Sequence, residues 1–140
     1  MTEKIYPGVF DRVKAIVTDG VILLIFMFAT SSIFSLFDDV PDFARVFAFV
    51  FIFLLYDPLF TSFTGGTIGH RLIGIRVRKE RDEQSNIQFP PAVLRYIVKA
   101  LLGWVSLLTV SGNNKGKAIH DYVAGSVVVY ANPKNKQDQL

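Results

Sequence analysis

Four ionisable side chains stand inside long apolar runs, and they are the residues of this sequence that could do chemistry. Asp19 is the single ionisable residue between positions 15 and 37, around the core GVILLIFMFA. Asp57 is the internal acid of RVFAFVFIFLLYDPLFTSF at positions 45–63. Arg95 and Lys99 fall in a third apolar stretch, 92–110. A charge in hydrocarbon costs at least about 2.5–3.5 kcal/mol at the centre and usually faces a bundle interior or a water-filled cavity. Two carboxylates in one low-dielectric site cannot both stay ionised without a cation. Such a layer can hold a proton or monovalent cation reversibly, or Arg95 and Lys99 can neutralise it permanently as a structural network. Pro58 follows Asp57 and removes the donor to the Leu54 carbonyl. A freed carbonyl beside a carboxylate is the kind of oxygen cluster hard cations prefer.

Membrane helices are the elements that must position these groups. The 140 residues are 51% hydrophobic and 19% charged, with 13 Phe, where soluble domains carry about 25% charged residues. Mean hydropathy is +0.37. A soluble domain this small buries only about two-thirds of its chain surface, which excludes a compact cytosolic enzyme. The absence of cysteine excludes disulfides, thiolate metal sites, cysteine nucleophiles and lipidated cysteines. Each of the first two apolar runs reaches the roughly 20 residues that a helix needs to cross a bilayer. The first is too long for a secretory signal, and FATSSIFS is a poor cleavage site, so it reads as a retained span.

Charge sets the orientation. Lys4, Arg12 and Lys14 precede the first span, Asp38, Asp39 and Asp42 join the two, and Arg71, Arg76, Arg78, Lys79 and Arg81 follow the second. The positive-inside rule places the N-terminus and central loop in the cytoplasm and the acidic turn outside. The third stretch opens with Pro90-Pro91, suited to a helix N-terminus, and Gly103 interrupts it. It either spans or re-enters; crossing would leave Lys115, Lys117, Lys134 and Lys136 outside, so a re-entrant or interfacial helix fits the charges better. At 1.5 Å per residue, Asp19 and Asp57 each lie about 9 Å deep on antiparallel helices, with Arg95 and Lys99 at roughly 5 and 11 Å. The two acids are expected to face each other.

Between the second and third apolar stretches, GGTIGHRLIGIRVRKERDEQSNIQFPP carries a period-2 strand signal in IRVRKE, which SNIQF could pair across a polar turn. SVVVY at 126–130 reads as another short strand, and 132–140 as a polar tail. No internal repeat is evident. His70 with Arg71, and His120 with Asp121, could form a cytoplasmic cluster titrating near neutral pH; the commoner reading is a surface histidine and a helix-capping aspartate. GGTIGHR lacks the ending of a phosphate-binding Walker loop. The string RVRKER suits anionic headgroups rather than nucleic acid. No serine, histidine and acid arrangement suggests hydrolysis, and no cofactor or metal is expected.

Three features occur in order: Arg12 with Asp19 seven residues on, GGTIGHRLIGIRV after the second span, and AIHDYVAGSVVV near the end. Together they resemble the RDD family of small prokaryotic membrane proteins, from about Val9 to Tyr130. The resemblance implies that Arg12, Asp19 and Asp121 are the family's arginine and two aspartates. It also implies that Gly66, Thr67, Gly69, His70, Arg71 and Gly74, with His120, form the cytoplasmic motif, His70 standing where a lysine is usual. Arg12 and a tail returned to the cytoplasm would bring Asp121 to the same side, so the two are expected to pair. The family implies transport of unspecified ligands, with sodium–proton antiport described for some members.

The expected fold is an all-α membrane protein: a two-helix transmembrane hairpin, a third spanning or re-entrant helix, and short cytoplasmic β elements. Residues 1–131 would form one domain in a prokaryotic plasma membrane, the cell inner membrane. The functional expectation is transport of a small ligand, or cation/proton exchange at Asp19, Asp57, Arg95 and Lys99, in a homo-oligomer. The alternative is a non-transporting scaffold or accessory subunit whose buried charges are structural.

Overall fold

A computed structural model describes residues 4–132. Of the tail expected at 132–140, all but Asn132 lies outside the described residues, Lys134 and Lys136 included. Helix α1, Val9–Phe34, is 26 residues long, about 39 Å. A turn over residues 35–41 leads to α2, Asp42–Thr64. Gly65 ends α2 in the left-handed region, at φ 79°, which favours glycine. Then come α3, Ile68–Ile73, and β1, Ile75–Lys79. Helix α4, Phe89–Leu102, is followed by a 3-10 helix at Gly103–Gly112. The last elements are α5, Ile119–Ala124, and β2, Ser126–Tyr130.

The membrane helices are polar inside and apolar outside. Helix α1 buries only Arg12, Ala15 and Asp19, which share one helical face. Its apolar residues point away, as Phe10 does at 84% exposed. Helix α2 buries Tyr56, Asp57, Pro58 and Thr61, and α4 buries Ala92 and Arg95. Hydrocarbon solvates the apolar faces, so the charged stripe is what each helix turns inward. Three helical stretches are long and apolar enough to cross a membrane: Val9–Phe34, Asp42–Thr64 and Phe89–Gly112.

The third stretch doubles back. Ala92, near its start, packs with Ala15 of α1 and Ile75, Val77 and Val128 of the strands. Val110, near its end, packs with Ala118 and Val9, at the start of α1. Both ends therefore sit at one end of the molecule. The reversal is at Gly103, whose φ of 55° and ψ of −136° suit glycine alone. Fourteen α-helical residues rise about 21 Å, and ten 3-10 residues at 2.0 Å descend about 20 Å.

Strands β1 and β2 pair antiparallel, Ile75 opposite Tyr130, Val77 opposite Val128 and Lys79 opposite Ser126. The expected partner SNIQF is not a strand. It offers Lys79 one backbone bond, from Lys79 N–H to Ser85 O, and one core side chain, Ile87. The β-branched run SVVVY fits the ladder better because its valines cover the core side of Ile75 and Val77.

A repeat that the sequence reading missed also appears. Helix α3, Gly74 and β1 match α5, Gly125 and β2 element for element, and both glycines are left-handed, at φ 81° and 60°. The central pair of the ladder, Val77 opposite Val128, joins equivalent positions of the two units. The two-stranded ladder thus has an approximate two-fold axis through that pair.

Candidate functional site

Each short helix of the repeat receives charge from the membrane helices. On α5, Asp121 is fully buried. Arg12 Nη1 donates to its Oδ2 at 2.7 Å and Arg95 Nε to its Oδ1 at 3.1 Å. The Ala118 backbone N–H donates to Oδ2 at 3.1 Å and the Ser126 hydroxyl to Oδ1 at 3.4 Å. Burial opposes its ionisation, but Arg12 and Arg95 together hold the carboxyl below the usual carboxylate range. Arg12 Nη2 donates to Gly116 O at 2.6 Å. The pair expected between Arg12 and Asp121 is therefore formed, with Arg95 as a third member.

Asp57, on α2, faces α4. Lys99 Nζ donates to its Oδ2 at 2.7 Å, Arg95 Nη1 lies 3.6 Å from its Oδ1, and the Thr61 hydroxyl donates to Oδ1 at 3.2 Å. Arg95 thus bridges Asp57 and Asp121. The cluster foreseen around the Leu54 carbonyl takes another form: the Tyr96 hydroxyl donates to Phe53 O at 2.9 Å, one residue earlier, while cations occupy the carboxylate.

Asp19, on α1, has a different environment. Its Oδ1 accepts from the Tyr56 hydroxyl at 2.7 Å and the Gly69 N–H at 2.8 Å, and its Oδ2 from the Thr67 hydroxyl at 2.6 Å. All three donors are neutral. A Cβ at Gly69 would run into the Ala15 carbonyl and the Asp19 carboxyl, so glycine is what lets α3 approach α1. The structure gives Asp19 and Asp57 separate partners, Asp19 on Tyr56 and α3 and Asp57 on α4. The reason lies on α2, where successive residues turn by about 100°. Tyr56 takes the direction toward α1 and leaves Asp57 directed at α4.

The histidines lie inside. His70 touches the Thr67 hydroxyl through Nδ1 and lies 3.9 Å from Asp19 Oδ2, whereas its neighbour Arg71 is exposed. Burial, then Arg95 and Lys99, holds the His70 ring well below its ordinary value. His120 Nδ1 is 2.7 Å from the Ser106 hydroxyl, which also accepts the His120 N–H at 3.1 Å. A hydroxyl has one donor and two acceptor positions, so Ser106 donates to Nδ1 in one ring tautomer and accepts from it in the other. Burial and Arg95 lower His120 to about 3. Neither the cluster titrating near neutral pH nor the surface histidine describes these rings, because both are buried and their values are lowered by that burial and by Arg95. Asp121 does cap α5, through the Ala118 N–H. Gly66 and Gly74 serve as turn glycines at positive φ.

Tyr56, Thr61, Ser106 and Ser126 join the site without having been singled out in sequence. The usable signal was Thr61, four residues after Asp57 and so on the same face.

The sequence model of the RDD family matches residues 6–125. No curated protein and no solved structure matches the chain.

Proposed function

The chain belongs to the RDD family, and from that premise we propose that this integral membrane protein exchanges a monovalent cation for a proton, with Asp19 as the exchanging carboxylate. One observation carries the reading. Asp57 and Asp121 are each met by two cationic side chains, whereas Asp19 receives hydrogen bonds from two hydroxyls and an amide only. A carboxylate tied to arginine or lysine is fixed in its ionised form. One held by neutral donors can bind and release a proton or cation while its surroundings stay in place. Asp57, Arg95, Lys99, Asp121 and Arg12 then form the rigid frame around it, not the exchanging layer.

Three short helices do not enclose a path on their own, so the working unit is a homo-oligomer in a prokaryotic plasma membrane. The Lys/Arg bias puts the N-terminus and the β1–β2 cap in the cytoplasm, with Phe89–Gly112 re-entrant from that side. Arg76, Arg78, Lys79 and Arg81 suit anionic headgroups there. No enzymatic or nucleic-acid role is proposed.

A second reading, a non-transporting scaffold or accessory subunit, is favoured by the charge balance: Asp19, Asp57 and Asp121 equal Arg12, Arg95 and Lys99 in number. Proteoliposomes with a cation gradient and an internal pH dye separate the two. Exchange predicts cation-driven proton movement that Asp19→Asn abolishes in a protein that still folds. A scaffold predicts no movement in the wild type and a lower melting temperature for Asp19→Asn. Undiminished flux in Asp19→Asn removes Asp19 from the mechanism.

A further inference from the structure

Thr67 connects two titratable groups through one hydroxyl. Its Oγ1 donates to Asp19 Oδ2 at 2.6 Å, contacts His70 Nδ1, and accepts the His70 backbone N–H at 3.2 Å. Thr67 is fully buried and His70 is 4% exposed, so bulk water does not compete for this hydroxyl. A hydroxyl has one proton to donate and two acceptor positions. If Thr67 donates to Asp19, the proton on His70 must sit on Nδ1 to donate to Thr67. If Thr67 donates to Nδ1, Asp19 must carry a proton of its own. The protonation of Asp19 and the tautomer of His70 are therefore coupled by geometry.

We propose that Asp19, Thr67 and His70 form a proton relay linking the membrane-embedded carboxylate to the cap formed by α3 and β1. The proposal rests on Asp19 being the exchanging carboxylate and adds the route by which its proton moves. In the outward step a protonated Asp19 donates to Thr67, which donates to Nδ1 of a ring protonated on Nε2. The Asp19 proton passes to Oγ1 and the Thr67 proton to Nδ1, leaving a carboxylate and an imidazolium. Loss of the Nε2 proton to water leaves a neutral ring protonated on Nδ1. One proton has moved from Asp19 to water, nothing is oxidised or reduced, and the sequence runs equally in reverse.

The surroundings suit a ring that passes its proton on. His70 is under the charges of Asp19 and Arg12 from α1, Asp57 from α2, and Arg95 and Lys99 from α4. Burial and the arginine and lysine charges disfavour the imidazolium, so it is transient. The Tyr56 hydroxyl accepts the Ile68 N–H at 3.3 Å and offers Asp19 no second titratable group. Thr67 does.

The test uses the full chain in proteoliposomes and, in parallel, in detergent. Thr67→Val and His70→Gln should slow cation-driven proton exchange about a hundredfold, the scale of a lost proton-transfer group, while Thr67→Ser stays within about twofold of wild type. Wild-type rates in Thr67→Val, with Asp19→Asn inactive, would overturn the relay and leave the exchange reading standing. Wild-type rates in Asp19→Asn would overturn both. Because Thr67 also caps α3, a second measurement uses the unaltered protein. Ring nitrogens of labelled histidine, assigned by comparison with His70→Gln, should move from the Nε2–H to the Nδ1–H tautomer as Asp19 loses its proton. A fixed His70 tautomer through that titration overturns the relay.

Discussion

At the scale of single residues, the site is set by which polar groups receive charge and which receive only dipoles. His120 receives a dipole. It is buried 2% exposed against Ser106, beside Asp121 and under the field of Arg95. Its folded-state value, about 3, lies below the ordinary value near 6.5, so the unfolded chain binds more protons between those limits. Stability is then full above about pH 6.5 and falls as pH drops toward 3. Between pH 6.5 and 4.5 this ring alone costs roughly 2 kcal/mol. His70 acts in the same direction, and Asp121, also lowered, adds its loss below about pH 4. The expected outcome is a melting temperature in detergent that decreases steadily from pH 7 to 4.5. His120→Asn, whose side-chain amide can still hydrogen-bond Ser106, should flatten that decrease by about one proton's worth. An identical slope in the variant would show that His120 is not neutral by burial.

At the scale of elements, the tightest packing is α3 against α1, and Gly69 is its contact point. A methyl group there meets the Ala15 carbonyl and the Asp19 carboxyl, neither of which can yield without unseating the Gly69 N–H from Asp19. Gly69→Ala should therefore lower the melting temperature by several degrees, corresponding to about 1–3 kcal/mol. Gly20→Ala is the control, since a Cβ there meets nothing within 4 Å; equal effects of the two would remove the close approach from the fold. Much of this level was legible in sequence. The apolar runs gave α1 and α2, Pro90-Pro91 the start of α4, Gly103 its reversal, and the spacing of Arg12 and Asp19 their shared face. The direction in which α2 presents Asp57 was not legible. Depth follows from counting residues, but rotation depends on which of two adjacent polar residues a neighbour claims, and Tyr56 claimed α1. Nor was the repeat, because the two helix–glycine–strand units share geometry while their residues differ: Thr67 corresponds to Ala118, and His70 to Asp121.

At the scale of the whole molecule, the two charges of opposite sign on one face of α1 each hold one helix–glycine–strand unit. Asp19 binds the first unit, at Thr67 and Gly69, and Arg12 binds the second, at Asp121 and Gly116. Both units therefore sit at one end of the molecule, and the stretch between them returns to the end it left. The loop after the 3-10 helix reinforces this. Lys115 and Lys117 reach Glu80, just beyond β1, at 3.1 and 2.7 Å, which ties the end of the third stretch to the end of the molecule where β1 lies. Single cysteines at Asp39, Lys79 and Asn114 test the arrangement in a chain that has none of its own. With a membrane-impermeant thiol reagent on oriented vesicles, positions 79 and 114 should react from one side and position 39 from the other. Labelling of 114 from the side that reaches 39 would make Phe89–Gly112 a full span and separate Asp121 from Arg12. Labelling of 79 from outside the cell would leave the fold intact and reverse its orientation, against the lysine and arginine bias. The expected pattern puts the Asp19–Thr67–His70 chain on the cytoplasmic side.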